Sequence, residues 1–290
     1  MKYSIDPPKT PLGTGGPVKN AEKLVGHSET FLVLNGDVFA DLSYTEILEA
    51  HTKNKALATI ALFEVEDPTR YGVAELAENC RIKKFIEKPA KGTAPTNLIN
   101  AGIYVLNPKI LSYIPKGKTV SMEREIFPKL VEKGELYGHV FQGLWIDIGK
   151  PKEYLQANKI LLNTLAKTPK IKSADKFELK KPTAIDKGVN IGAKSVIGPY
   201  AILGKNVRVG KNVQIKESVI LSDAKIGDSS LINGAIIGEG VIIGKKVKVS
   251  KGCVIGDKAK IRDNLSLEKE ATVCPAQEVL ENILKSKIIC

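Results

Sequence analysis

Ile191-Gly192-Ala193-Lys194-Ser195-Val196-Ile197-Gly198-Pro199-Tyr200-Ala201-Ile202-Leu203-Gly204 opens a run in which an aliphatic residue returns every six positions. The series continues through Val209, Ile215 and Leu221, with Gly after each of the first four members. A five-residue step leads to Ile226 and Ile232, and a second to Ile237, Ile243, Val249, Ile255 and Ile261. Small or aliphatic residues recur four positions after many of these, at Ser195, Ala201, Val207, Val213, Val219, Val241, Val247 and Cys253. A period of six fits neither the 3.6-residue turn of an α-helix nor the two-residue alternation of a strand; it marks a parallel β-helix of hexapeptides. Three short faces close a triangular coil, aliphatic side chains stack inside, and the intervening polar residues meet water. The pattern predicts this coil over residues 183–266, bulges or small loops at the two five-residue steps, and a C-terminal tail with a short helix over 267–290.

The coil also accounts for the charge. Residues 182–262 hold fourteen Lys or Arg against six Asp or Glu, so most of the chain's net +12 falls on outward positions of the repeat, where lysines are solvated and discourage edge pairing. No run of five or more basic residues and no nucleic-acid-binding module accompanies that charge, which excludes nucleic acid as the expected partner. Hydrophobic residues at 43% and charged residues at 26% describe an ordinary globular chain. No stretch of about 18 apolar residues is present, so no membrane partner is expected. Cys80, Cys253, Cys274 and Cys290 lie far apart without C-x-x-C spacing, which predicts reduced cysteines, no zinc site and a cytoplasmic location.

Residues 1–165 read as an α/β domain. Phe31–Asn35 is a short apolar run consistent with a buried strand of a parallel sheet, followed by Gly36 and Asp37. Ser43 and Glu46 form a capping box for a helix over 43–54, with Ile47 and Leu48 facing the core. Residues 56–64, 82–85, 101–106 and 138–141 are predicted strands, and 124–134 and 152–165 predicted helices. Residues 166–182, rich in lysine, are predicted to be a linker.

Several short elements occur in one order along this domain. Leu34-Asn35-Gly36-Asp37, Tyr71-Gly72-Val73, Glu87-Lys88-Pro89, Asn100-Ala101-Gly102-Ile103-Tyr104 and Trp145-Ile146-Asp147-Ile148-Gly149 resemble the L-x-G-D, Y-G-V, E-K-P, N-x-G-I-Y and W-x-D-I-G elements of sugar-phosphate nucleotidylyltransferases. Lys150 stands where that family's last element carries Thr. The resemblance implies a Rossmann-like nucleotidyltransferase domain followed by a left-handed parallel β-helix of hexapeptide repeats. It also implies an enzyme that joins a nucleoside triphosphate to a sugar 1-phosphate and releases diphosphate.

Its implied residue roles are chemically coherent. Asp37 and Asp147 are the implied magnesium ligands, since magnesium takes one or two carboxylates and completes its shell with water and substrate phosphate. Lys88 pairs with the sugar phosphate and serves as a catalytic residue with the two aspartates. Glu87 accepts bonds from sugar hydroxyls, Asn100 offers its amide, and Gly72 lets backbone approach the sugar. Pro11-Leu12-Gly13-Thr14-Gly15-Gly16 resembles the family's P-L-G-T-G-G segment, with Gly13 and Thr14 on the side of the base and ribose.

The family's G-x-G-T-R loop and the P-K that follows it are not in this sequence, which makes the domain an incomplete one and predicts little or no turnover by residues 1–290 alone. The Leu98–Gly102 region and the attached coil resemble the mannose-1-phosphate guanylyltransferases, implying mannose 1-phosphate and GTP as substrates. Glucose-1-phosphate thymidylyl- and uridylyltransferases stay open. A non-catalytic regulatory subunit that binds sugar nucleotide is one alternative, and a β-helix acyltransferase another. The second conflicts with the placement of His27, His51 and His139, all of which precede the repeat. The flat surfaces of the coil imply a homo-oligomer.

Overall fold

The computed structural model describes residues 2–7, 11–164 and 176–290. The chain divides into two compact units, Met1–Ile146 and Asp147–Cys290.

The first unit opens with helices α1 (Gly15–Asn20) and α2 (Glu22–Val25), strands β1 (Phe31–Leu34) and β2 (Val38–Ala40), and helix α3 (Tyr44–Lys53). Strands β3 (Ala58–Glu64), β4 (Gly72–Leu76), β5 (Ile82–Glu87) and β6 (Leu98–Leu106) follow, then helix α4 (Phe127–Lys133) and strands β7 (Leu136–Val140) and β8 (Trp145–Asp147). The main sheet runs β5-β4-β6-β3-β7, with β1 paired to β6 beside β4. It is mixed rather than parallel: β6 is antiparallel to β1, β3 and β4, and only β3 and β7 run together. The nine-residue β6, buried over Ala101–Leu106, is the spine on which the other strands register. β1 has β6 as its one partner strand among the described residues and is half-buried, not fully buried as its apolar run predicts.

Local chemistry sets the helix ends as expected at α3, where the Ser43 side chain accepts from Glu46 N and Ile47 is wholly buried. The predicted 124–134 helix is in fact a π-helical turn, Met122–Ile126, leading into α4, which ends on Gly134 in a left-handed conformation.

The second unit holds helix α5 (Pro151–Thr164) and the coil. The coil is built of short parallel strands in three sheets of seven, six and six. It begins at Glu178–Leu179, inside the segment read as a linker, because Val196–Ile197 pairs back onto that strand. Residues 166–175 of that predicted linker lie outside the described residues. It also extends beyond the predicted boundary: strands at Ser266–Leu267, Thr272–Val273, Glu278–Val279 and Ile288–Ile289 replace the tail and its helix. Leu267, Val273 and Val279 keep the inward rhythm after glycine has dropped out of the repeat.

Corners of the coil use residues of positive φ stacked along an edge, as in Asn206, Asp223, Gly240 and Lys258. Asn206 Nδ2 donates to Asp223 Oδ1 at 3.0 Å along that edge. The glycine after the inward aliphatic has a steric cause: a Cβ on Gly192 would stand 2.5 Å from the Gly210 carbonyl carbon of the next coil. Buried Ser195 closes its own account, donating to Gly210 O at 2.8 Å and accepting from Val213 N at 3.0 Å.

The five-residue steps are shortened corners, not loops. Thr183 pairs with Ala201, eighteen positions on, whereas Ile202 pairs with Val219 and Val219 with Ile236, seventeen on, and the eighteen-residue coil returns at Ile236↔Val254. The first short corner lies one residue earlier than the pattern places it. Ile220 is the inward residue and Leu221 is 37% exposed, while Ser218, not Val219, takes the small inward position. The prediction of unpaired cysteines is corrected for one pair. Register Val273↔Ile289 sets Cys274 beside Cys290, and the two form a disulfide with Cα atoms 4.8 Å apart. Cys80 and Cys253 are free.

Candidate active site

The sugar-side elements predicted from sequence converge on adjacent strands of the first unit. Gly72 in β4 pairs with Glu87 at the end of β5, and the β4–β6 register Val73↔Ile99 brings Gly72 alongside Asn100. Glu87, Gly72 and Asn100 therefore form a row across three neighbouring strands. Gly72 is required by that row itself: a Cβ there would stand 2.5 Å from the Phe85 ring and 2.9 Å from Glu87 Oε2. Lys88 follows at φ 50, its amide donating to Tyr71 O at 2.9 Å and its Nζ 3.9 Å from Glu87 Oε1.

Burial pushes the Glu87 carboxyl above the ordinary carboxylate range, and the negative charge of Glu123 pushes the same way, against Lys88 and Arg124. Asn100 is oriented by two bonds, Nδ2 donating to Tyr104 Oη at 3.1 Å and Oδ1 accepting from Gly102 N at 3.0 Å. Gly102, at φ 73, has the Asn35 side chain where a Cβ would be, and Asn35 N donates to Gly102 O at 2.8 Å. The turn carrying Asp37 is thereby tied to the strand carrying Asn100.

Asp37 lies in the exposed turn between β1 and β2, and its carboxylate makes no hydrogen bond or ion pair among the described residues. β2 pairs with β8, whose last residue is Asp147, and Asp41 N donates to Leu144 O at 2.8 Å where the ribbon closes. Trp145 anchors it: the indole donates to Ala101 O at 3.0 Å and its ring meets Tyr71 and Phe63 at 5.2 and 6.0 Å. Asp147 Oδ1 accepts from Gly149 N at 3.0 Å, leaving the other oxygen outside that turn. Among the described residues no three or more His, Cys, Asp or Glu gather as a metal cage. Two carboxylates completed by water and substrate phosphate are the donor set that suits magnesium.

The turn at Gly13 and Thr14 packs on the segment before α4. A Cβ on Gly13 would stand 2.5 Å from Val120 O, and Gly15 N donates to that same oxygen at 2.8 Å. Thr14 Oγ donates to Glu123 at 2.6 Å, a residue that sequence reading passes over because it sits in the π-helical turn, 109 positions away. No helix of the described residues is long and apolar enough to cross a membrane.

Residues 1–164 match the nucleotidyl transferase family. The chain belongs to that family. Residues 179–289 also match a domain described as the GMPPB C-terminal domain, which covers the coil. The chain is 43% identical over 173 residues to a probable mannose-1-phosphate guanylyltransferase 3 of Arabidopsis thaliana, covering 58% of this chain and 51% of that protein. A mannose-1-phosphate guanyltransferase of Aspergillus oryzae is 39% identical over 170 residues, 58% of this chain and 45% of its own. The chain thus spans about half the length of the curated relatives it matches. Among solved structures, HddC from Yersinia pseudotuberculosis is 34% identical over 51% of this chain and 62% of its own, with a TM-score of 0.44.

Proposed function

We propose that this nucleotidyl transferase acts on a sugar 1-phosphate and a nucleoside triphosphate, forming a nucleoside diphosphate sugar and diphosphate, with mannose 1-phosphate and GTP as the pair. The observation that carries the reading is the row of Glu87, Gly72 and Asn100 with Lys88 at its end: an acceptor, an open backbone position, an amide and a cation within one patch of sheet. The names of the relatives supply the sugar and the base.

In this reading Glu87 accepts from ring hydroxyls and Asn100 donates to one. Lys88, carried on a left-handed backbone at the strand end, pairs with the sugar phosphate and holds its oxygen toward the nucleotide. Thr14 and Gly13 face the base and ribose. Asp37 and Asp147 would hold magnesium, which supplies neutralisation of the charge that develops on the α-phosphate. Self-association through the coil and a cytoplasmic location belong to the same proposal.

Calorimetric titration of the chain with mannose 1-phosphate tests it. Saturable binding that falls about tenfold or more in Lys88→Ala is expected, the loss of a charge-assisted bond. Binding of glucose 1-phosphate in preference, or of neither sugar phosphate, overturns the assignment. Binding of GDP-mannose without turnover of GTP and mannose 1-phosphate, even after a segment carrying the G-x-G-T-R loop is joined upstream, would favour a regulatory subunit.

A further inference from the structure

Glu123 stands between the glycine turn and the sugar-side strands of the proposed pocket, and its hydrogen bonds come from hydroxyl groups. Its Oε2 accepts from Thr14 Oγ at 2.6 Å and from Ser121 Oγ at 2.8 Å, and the π-helical turn that carries it packs on β5, the strand that ends in Glu87. No Lys or Arg forms an ion pair with it among the described residues. Hydroxyl donors are directional where a cation would act as a diffuse charge, so this carboxylate fixes the geometry of the groups around it.

The consequences run in both directions from that carboxylate. Toward the glycine turn, Thr14 Oγ also accepts from Met122 N at 2.9 Å, and Thr119 Oγ donates to Pro11 O at 2.8 Å, so the turn is strapped to residues 119–123. Toward the sugar side, Tyr104 is 2% exposed and its phenol receives the Asn100 amide. With Asn100 Oδ1 already held by Gly102 N, the amide has one orientation, and Gly102 in turn carries the turn of Asn35 and Asp37. Glu123 therefore holds the glycine turn through Thr14 on one side, while on the other its negative charge acts on Glu87 and on the Tyr104 phenol that orients Asn100.

We propose that Glu123 is a positioning residue of the sugar-phosphate pocket, and that through Thr14 it makes the glycine turn part of that pocket. The proposal rests on the sugar 1-phosphate reading above. It predicts that a change on the turn, on the opposite side of Glu123 from Asn100, weakens the sugar phosphate.

The test is calorimetric titration of the full chain with mannose 1-phosphate for the wild type, Glu123→Gln, Thr14→Val, Thr14→Ser and Glu87→Gln. Thr14→Val and Glu123→Gln are each expected to raise Kd about tenfold, the loss of one bond to a charged group, while Thr14→Ser keeps the wild-type value. Thr14 is exposed, which makes its variants safe to fold. A second readout, carbon NMR of the Glu87 carboxyl, is expected to titrate at lower pH in Glu123→Gln, because one like charge has gone while Lys88 and Arg124 remain. If Glu123→Gln and Thr14→Val bind within about twofold of wild type while Glu87→Gln still loses about tenfold, the positioning role is wrong and the pocket stands. If Thr14→Ser behaves like Thr14→Val, the hydroxyl link is wrong. If the wild type binds no mannose 1-phosphate, the pocket and the positioning role fall together.

Discussion

Lys159 of α5 donates to Glu217, a corner residue of the coil, at 2.7 Å, and its ammonium lies 5.5 Å from the centre of the Tyr200 ring. Both side chains are about one-third exposed, so the bond is partly shielded from solvent. Glu217→Gln is expected to lower the stability of the second unit by about 1 kcal/mol in urea unfolding. The Lys159 bond, and after it the charge of Lys159, holds the Glu217 carboxyl below its ordinary 4.5 against the opposing effect of burial. A lowered carboxylate contributes stability above its unfolded value and loses it as pH falls through the folded one. The difference between wild type and Glu217→Gln should therefore begin to shrink as pH falls below 4.5 and vanish only once pH has passed the lower, folded value.

Ile220 and Leu221 decide the phase of the shortened corner. Ile220→Ala should cost about 3 kcal/mol, within the range for emptying a packed aliphatic site. Leu221→Ala, at a 37% exposed position, should cost under about 1 kcal/mol. Equal losses in the two variants would place the corner wrongly.

Gly210 and Gly36 separate glycines kept for packing from glycines that are merely tolerated. A Cβ on Gly210 would meet Asp228, including its amide nitrogen at 2.8 Å, while one on Gly36 would meet nothing within 4 Å. Gly210→Ala is expected to destabilise by about 2 kcal/mol and Gly36→Ala by less than about 0.5 kcal/mol in the same measurement.

Glu87 should trade stability against binding. Its raised folded value means that ionisation is disfavoured by the fold, so its contribution is complete below the ordinary 4.5 and is lost as pH climbs through the shifted value. Glu87→Gln removes that loss. The variant should be at least as stable as wild type at pH 7 and indistinguishable near pH 4, and its affinity for mannose 1-phosphate should no longer improve as pH rises.

Cys274 and Cys290 close a segment spanning sixteen positions. Two thiols rather than four should react in the denatured, unreduced protein. Cys290→Ser should lose about 3 kcal/mol under oxidising conditions, a loop-closure magnitude, and nothing relative to reduced wild type. Four reactive thiols would show that the bond is absent.

Much of this fold is written in short-range pattern. A six-residue period has one explanation, and the Ser43–Glu46 cap lies within four residues. The phase slipped at Ile220 because Leu221 beside it is equally aliphatic and composition cannot choose between them. The last coils escaped because Leu267, Val273 and Val279 keep the rhythm without glycine. The disulfide escaped for a related reason, since stacking of adjacent coils turns a distance along the chain into a neighbour in space. In the site, Glu87, Lys88 and Asn100 were marked by motif. Glu123 carries no local mark: its partner Thr14 lies 109 positions away, and only the fold brings the two together.

The coil's use of both eighteen- and seventeen-residue turns makes its length adjustable by whole turns of either size. Gln214 pairs with Leu231, seventeen positions later, so excising residues 215–231 would seat Ile232 where Ile215 had been and leave every rung above it in phase. Cutting one residue less or more within that strand would set Leu231 or Asn233 at the inward position that Ile232 fills. Each such excision would shorten the rod by about 4.8 Å, the spacing of neighbouring strands. The chain thus contains a molecular spacer graduated in single rungs.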